Sequence, residues 1–281
     1  YFNSATFEQT AYFHFATFTQ AAYFDSATFD GPAKFVGTKF GLRGGTDICV
    51  PNFTEATFVK LVSFRKADFV THYPVLEGTA FLAKLVVTAT PALWPKERPA
   101  LLDVAKENSP IPTKEDAKAS CATLRHEIGR QGLPEDEHFF FRREMEFSRI
   151  VALSDDKEIW PYFKAWPYWL FKTFSGYGES IERPISALCG MFGFGFGALL
   201  AHFSANTGIW SALKDAAAVR DAAAVSFSNL LPVFGFGRIF LADELKTLTA
   251  GLEFLSGAQT VLALPPLFFL GIGLRKRFRI R

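Results

Sequence analysis

The residues best suited by type to chemistry lie in one charged run, RHEIGRQGLPEDEHFFFRREMEF, which holds His126, Glu127, His138 and Glu144. Two histidines and two carboxylates are the donor set of a hydrolytic zinc site, where His at i and i+4 share a helical face with a Glu base. The spacing is wrong for that. "HEIGR" lacks a second His at i+4, and His138 lies across a turn, beside Glu135, Asp136 and Glu137. The run reads instead as a solvated charged face. Cys49, Cys121 and Cys189 are too far apart for a local metal motif and odd in number, which points to free thiols in a reducing compartment or to small buried apolar residues. No nucleophile elbow, phosphate-binding loop, metal cluster or carboxylate pair at meaningful spacing appears. The reading therefore expects no enzymatic activity, catalytic residue, cofactor or metal.

A second candidate chemistry is ion coordination by backbone carbonyls. The apolar stretch 222–237 within "DAAAVRDAAAVSFSNLLPVFGFGRIF" is too short to cross a bilayer easily and reads as a re-entrant segment. A short helix followed by Gly-aromatic-Gly resembles the pore loop of two-span potassium channels, in which carbonyls replace an ion's water. Gly235, Phe236 and Gly237 match the end of the Thr-Val-Gly-Tyr-Gly signature. Val233 and Phe234 do not match its start, Arg238 replaces its usual Asp, and "GFGFG" also stands at 193–197.

The elements that would position such groups begin with a repeat. The chain holds 33 Phe in 281 residues, and the first eight inward candidates are Phe2, Phe7, Phe13, Phe18, Phe24, Phe29, Phe35 and Phe40. Their steps alternate five and six. On a helix such steps split the rings into two stripes roughly 140° apart, and on a continuous strand a step of five sends alternate rings to opposite faces. A short extended piece followed by a corner puts every Phe inside a coil, with a small residue two positions earlier. Ala5, Ala11, Ala16, Ala22, Ala27 and Ala33 occupy that slot. The pattern breaks at "GLRGGTD" and resumes at Ile48, Phe53, Phe58, Phe64 and Phe69, so the eight-residue gap after Phe40 reads as a two-residue insertion.

This pattern resembles the pentapeptide-repeat family, whose units centre on Leu or Phe with Ala two residues before. The resemblance covers residues 1 to about 70 and implies a right-handed quadrilateral β-helix. The six-residue step departs from the family's plain form and implies about 22 residues per coil, with Phe stacked over Phe at about 4.8 Å. On this reading Phe2, Phe13 and Phe24 are buried half a coil apart. The chain starts inside a repeat, so further coils are expected upstream. Residues 1–81 carry seven acidic against six basic residues, which argues against DNA mimicry, and the chain's net charge of +2 gives no reason to expect a nucleic-acid partner. Tyr12, Phe15 and Tyr23 could make an outward aromatic patch or belong to corners and ladders.

Residues 82–158 read as a Pro-rich linker and an αα-hairpin. Thr113 caps a first helix that ends at Gly132, with Ala117, Cys121, Leu124 and Ile128 on its apolar face; Pro134 starts a second, with Phe140, Phe147 and Val151 as its stripe. Residues 159–281 read as a membrane region. "IWPYFKAWPYWLFKTFSGYG" crowds Trp, Tyr and Lys as a headgroup-layer helix does. Two spans follow, at about 184–206 and 254–274, the second being 21 uncharged residues. Gly193, Gly195 and Gly197 allow close helix contact in the first, and Pro265 and Pro266 would kink the second. "RKRFRIR" places the C-terminus in the cytoplasm by the positive-inside rule, and two spans place the repeat there also.

The hairpin, "YWLFKTFSGYGESIERPI" and "GLRKRFRIR" resemble the C-terminal portion of bacterial membrane-anchored pentapeptide-repeat proteins. The fold expected is thus mixed: β-helix, helical hairpin, then an α-helical two-span region in the inner membrane. The function expected is a scaffold that binds an unidentified protein partner or itself, with a channel-like pore as the alternative. The core ladder expected is Phe2, Phe7, Phe13, Phe18, Phe24, Phe29, Phe35, Phe40, Phe53, Phe58, Phe64 and Phe69.

Overall fold

A computed structural model describes residues 1–42, 49–95, 113–154, 161–204, 212–232, 241 and 245–278, without the side chain of Lys276. The chain divides into two compact units, Tyr1–Tyr168 and Trp169–Arg281.

Among the described residues the first unit opens with thirteen short strands. They are β1 (Thr6–Phe7), β2 (Ala11–Tyr12), β3 (Thr17–Phe18), β4 (Ala22–Tyr23), β5 (Thr28–Phe29), β6 (Ala33–Lys34) and β7 (Lys39–Phe40), then β8 (Pro51–Asn52), β9 (Thr57–Phe58), β10 (Val62–Phe64), β11 (Asp68–Phe69), β12 (Ala80–Phe81) and β13 (Leu85–Val87). They form four parallel sheets, β1-β5-β9-β12, β2-β6-β10-β13, β3-β7-β11 and β4-β8, which the chain visits in fixed rotation. An isolated bridge from Asn52 to Val75 continues the fourth. This arrangement is compatible with a repeat β-helix.

Each step of five contains a tight turn. In "FNSAT" the amide of Ala5 donates to Phe2 O and Ser4 takes the left-handed conformation; the same holds at Phe15, Ser26, Gly37, Glu55, Lys66 and Gly78. A left-handed third residue is what such turns require, and only two of these seven are the glycine that adopts it without strain. The turns deliver each Phe inward and the small residue before it into the remaining space, so that Ala22, Ala27, Ala33, Ala56 and Ala67 are buried. Where Thr38 replaces Ala in that slot, its hydroxyl donates to Phe13 O at 2.7 Å, which satisfies the buried polar atom.

The register corrects one expectation. Thr6 pairs with Thr28, Thr28 with Thr57 and Thr57 with Ala80, so successive circuits take 22, 29 and 23 residues. The middle circuit is seven residues longer than the first, not two. Phe53 stacks on Phe24, and Ile48 lies outside the described residues. The strands also run past residue 81, since Leu85–Val87 pairs with β10.

Six α-helices follow among the described residues: α1 (Lys114–Arg130), α2 (Pro134–Ser154), α3 (Pro161–Ser175), α4 (Glu182–Phe203), α5 (Ala216–Leu230) and α6 (Ala250–Arg277). Thr113 and Asp116 form a reciprocal capping box at the start of α1. Gly132 is left-handed between α1 and α2, and Ala117, Cys121, Leu124, Ile128, Phe140 and Phe147 are buried, while Val151 is only half-buried. Asp215 caps α5 by accepting from the amides of Ala217 and Ala218. α4 and α6 are long and apolar enough to cross a membrane, and α6 runs through Pro265 and Pro266 without interruption.

Candidate functional site

The interior of the first unit is an aromatic lattice. Along the stack Phe2, Phe24 and Phe53 lie face to face, as do Phe7, Phe29 and Phe58, then Phe13, Phe35 and Phe64, and Phe18, Phe40 and Phe69, with centroids 4.7–5.3 Å apart. Across the interior the contacts are edge-on: Phe24 to Phe35 at 5.6 Å and 86°, Phe35 to Phe53 at 5.6 Å and 84°. Edge contact sets the positive rim of one ring against the negative face of another. Phe24, Phe29, Phe35, Phe40, Phe53, Phe58 and Phe69 are fully buried. Phe2, Phe7, Phe13 and Phe18 are half-buried, short of the burial expected for Phe2 and Phe13, because one neighbouring circuit covers the first circuit where two cover the next.

The other end is closed. Trp94 stacks on Phe69 at 4.5 Å, its indole N–H donates to Thr88 O, and the edge of Phe140 meets it at 4.8 Å and 87°. Phe147 meets Tyr73 edge to face, and the Ser120 hydroxyl donates to Pro74 O. The hairpin is therefore a lid on the ladder, one continuous core with it. Next to Tyr73 in the chain, His72 is 2% exposed, with neither ring nitrogen hydrogen-bonded. Burial depresses its pKa to about 4.

The four residues of the charged run have separate occupations. Glu144 pairs with Arg125 at 2.7 Å, Glu127 pairs with Arg130, His138 stacks on Phe141, and His126 lines a shallow cleft with Arg125, Gly129, Arg130 and Glu137. Among the described residues no three His, Cys, Asp or Glu gather as a metal-binding group. Of the outward rings, Tyr12 lies under Lys34 Nζ at 5.0 Å, and His14 bridges it edge-on to Phe15. Tyr23 stacks on Tyr1 instead, away from that strip.

In the second unit a polar centre joins three helices. The Gln259 amide of α6 donates to Met191 O of α4 at 3.0 Å and to Ser226 Oγ of α5 at 2.9 Å, and its carbonyl accepts from Asn229 at 3.1 Å. Ser226 Oγ in turn donates to Phe192 O. A Cβ on Gly195 would stand 2.5 Å from the Gln259 amide, whereas at Gly193 and Gly197 it would meet nothing within 4 Å. Only Gly195 among the three makes the close approach. The available signal was an amide inside an apolar run, which in such helices is a contact between helices. Gly235, Phe236 and Gly237 lie outside the described residues.

No family model matches the chain, and neither a curated protein nor a solved structure matches it.

Proposed function

We propose that the chain is a membrane-anchored scaffold of the pentapeptide-repeat type, without enzymatic activity, whose strand stack is a right-handed quadrilateral β-helix. The observation that carries the reading is the exposure of the apolar helices. Only 22% of the most apolar window of α4 and 28% of that of α6 are buried, whereas a core helix of a water-soluble domain would be covered. In α3 the rings of Trp166, Trp169, Tyr162 and Phe163 are also exposed, as rings of a headgroup-layer helix are. In this reading the stack and the basic C-terminus share the cytoplasmic side of the inner membrane, and the stack offers its sides to a protein partner or a second copy. Membrane fractionation tests it. Expected is a chain released by detergent but not by alkaline carbonate, with a C-terminal tag reached only from the cytoplasmic side. A chain that stays monodisperse in buffer without detergent would sink the reading.

One observation favours a second reading, a channel-like pore. The short helix α5 is wedged against α4 and α6 by Ser226 and Asn229, and it ends five residues before Gly235. Potassium flux from liposomes separates the two; oriented, well-folded protein without flux excludes the pore.

A further inference from the structure

We propose that the turn between α3 and α4, together with the C-terminal end of α6, forms one cationic collar that binds the phosphate of anionic phospholipids. The proposal rests on the membrane reading above.

The turn is unusually constrained. Gly176, Tyr177 and Gly178 are all left-handed, with φ of 55°, 62° and 84°. For Tyr177 this is a strained conformation that persists only where surrounding contacts over-determine it. Those contacts are present: its amide donates to Phe171 O, its ring meets Phe171 edge-on, and the Ser175 carbonyl accepts from the amides of Gly178, Glu179 and Ser180 at 3.1, 3.0 and 2.9 Å. The turn folds Arg183 back onto the end of α3, where its guanidinium donates to Lys172 O at 3.0 Å. The Arg183 charge is thereby held against the backbone of the last turn of α3.

α6 delivers the others. Phe269 stacks on Phe171 at 5.4 Å and 17°, and further along α6 a Cβ on Gly273 would stand 3.1 Å from Ile181, so the helix end is seated on the turn. Arg275 and Arg277 follow Gly273 by two and four residues, about 3 and 6 Å further along the axis. Lys172, Arg183, Arg275 and Arg277 thus stand on the elements that come together where α4 begins and α6 ends, against Glu179 and Glu182 as the acidic residues of the turn. This is the polar end of both apolar helices, the depth at which lipid phosphates lie. Guanidinium forks match phosphate oxygens, and Trp169, half exposed on α3, belongs to the same layer.

The test reconstitutes the full chain in vesicles of phosphatidylcholine alone and of phosphatidylcholine mixed with phosphatidylglycerol, then counts retained phosphatidylglycerol by native mass spectrometry. Expected is enrichment of phosphatidylglycerol on the wild type, weakened by about fivefold per removed charge in Arg275→Gln/Arg277→Gln, and unchanged in Lys214→Gln outside the collar. That double variant leaves the Arg183 bond intact, and adding Arg183→Gln should deepen the loss. Enrichment should also fall as salt rises, a reading that needs no variant. Insertion into both vesicles without preference, an unaltered double variant, or complete displacement by inorganic phosphate overturns the collar while sparing the membrane reading. Failure to insert into either vesicle overturns both.

Discussion

The Phe15 ring lies across Gly37 one circuit further on, so closely that a Cβ at Gly37 would stand 2.7 Å from two ring carbons. Both residues occupy the left-handed third position of the tight turn, at φ of 55° and 68°. Sequence-equivalent corners thus carry different side chains under one backbone demand, and the glycine stands where its neighbour's ring needs the room.

Gly37→Ala should therefore destabilise the stack by about 1–3 kcal/mol, through a strained φ and a displaced ring. Lys66, left-handed and exposed in an equivalent corner, gives the opposite sign: Lys66→Gly should stabilise by about 0.5–1 kcal/mol. Thermal unfolding of the full chain in detergent reads both, and equal signs would refute the turn argument.

Phe7 and Phe29 are successive rungs of one ladder, half-buried and fully buried respectively. Phe29→Ala should cost about 3–5 kcal/mol, and Phe7→Ala roughly half of that, since its ring loses less cover. Hydrogen exchange of the strand amides should show the larger effect at Phe29. Equal losses would mean that the first circuit is covered by something further.

Buried His72 makes the first unit sensitive to acid. Its folded pKa of about 4 lies below the ordinary 6.5, so the native state resists a proton that the unfolded chain accepts. The stability due to neutral His72 is complete above pH 6.5 and is lost as pH falls toward 4, by about 3 kcal/mol. His72→Leu should flatten denaturant midpoints across that window. Superimposable pH profiles for the two chains would rule this out.

Gly195→Ala should separate α4 from α6 and break the bonds of Gln259, lowering stability in micelles by about 1–2 kcal/mol. Gly193→Ala and Gly197→Ala should be close to neutral because nothing stands within 4 Å of either added Cβ. A uniform response across the three would show that the contact is not specific to Gly195.

The ladder was legible because the five and six steps admit neither helix nor continuous strand, and the small slot repeats with them. The length of the middle circuit was not, because the five-residue step from Ile48 to Phe53 fits the local spacing whether or not it begins a rung. Which residues pair is decided by a neighbouring circuit, about which local spacing is silent. Trp94 as the last rung, stacked on Phe69, was hidden in a Pro-rich stretch that reads as linker. The caps of α1 and the stripe of Phe140 and Phe147 were legible because they depend on residues one or two turns apart. In the second unit the apolar lengths were plain, but the choice of Gly195 over its two neighbours depended on where Gln259 falls on another helix. The pore-like residues 235–237 lie outside the described residues, so that reading stands on sequence alone.

The seven additional residues of the middle circuit leave the stacking on both sides of them undisturbed, with Phe40 on Phe69 and Phe24 on Phe53. Such a stack counts rungs rather than residues. A corner of it is accordingly a place where foreign peptide could be spliced in, or where lineages could diverge by insertion, while the partners on every other rung keep their address.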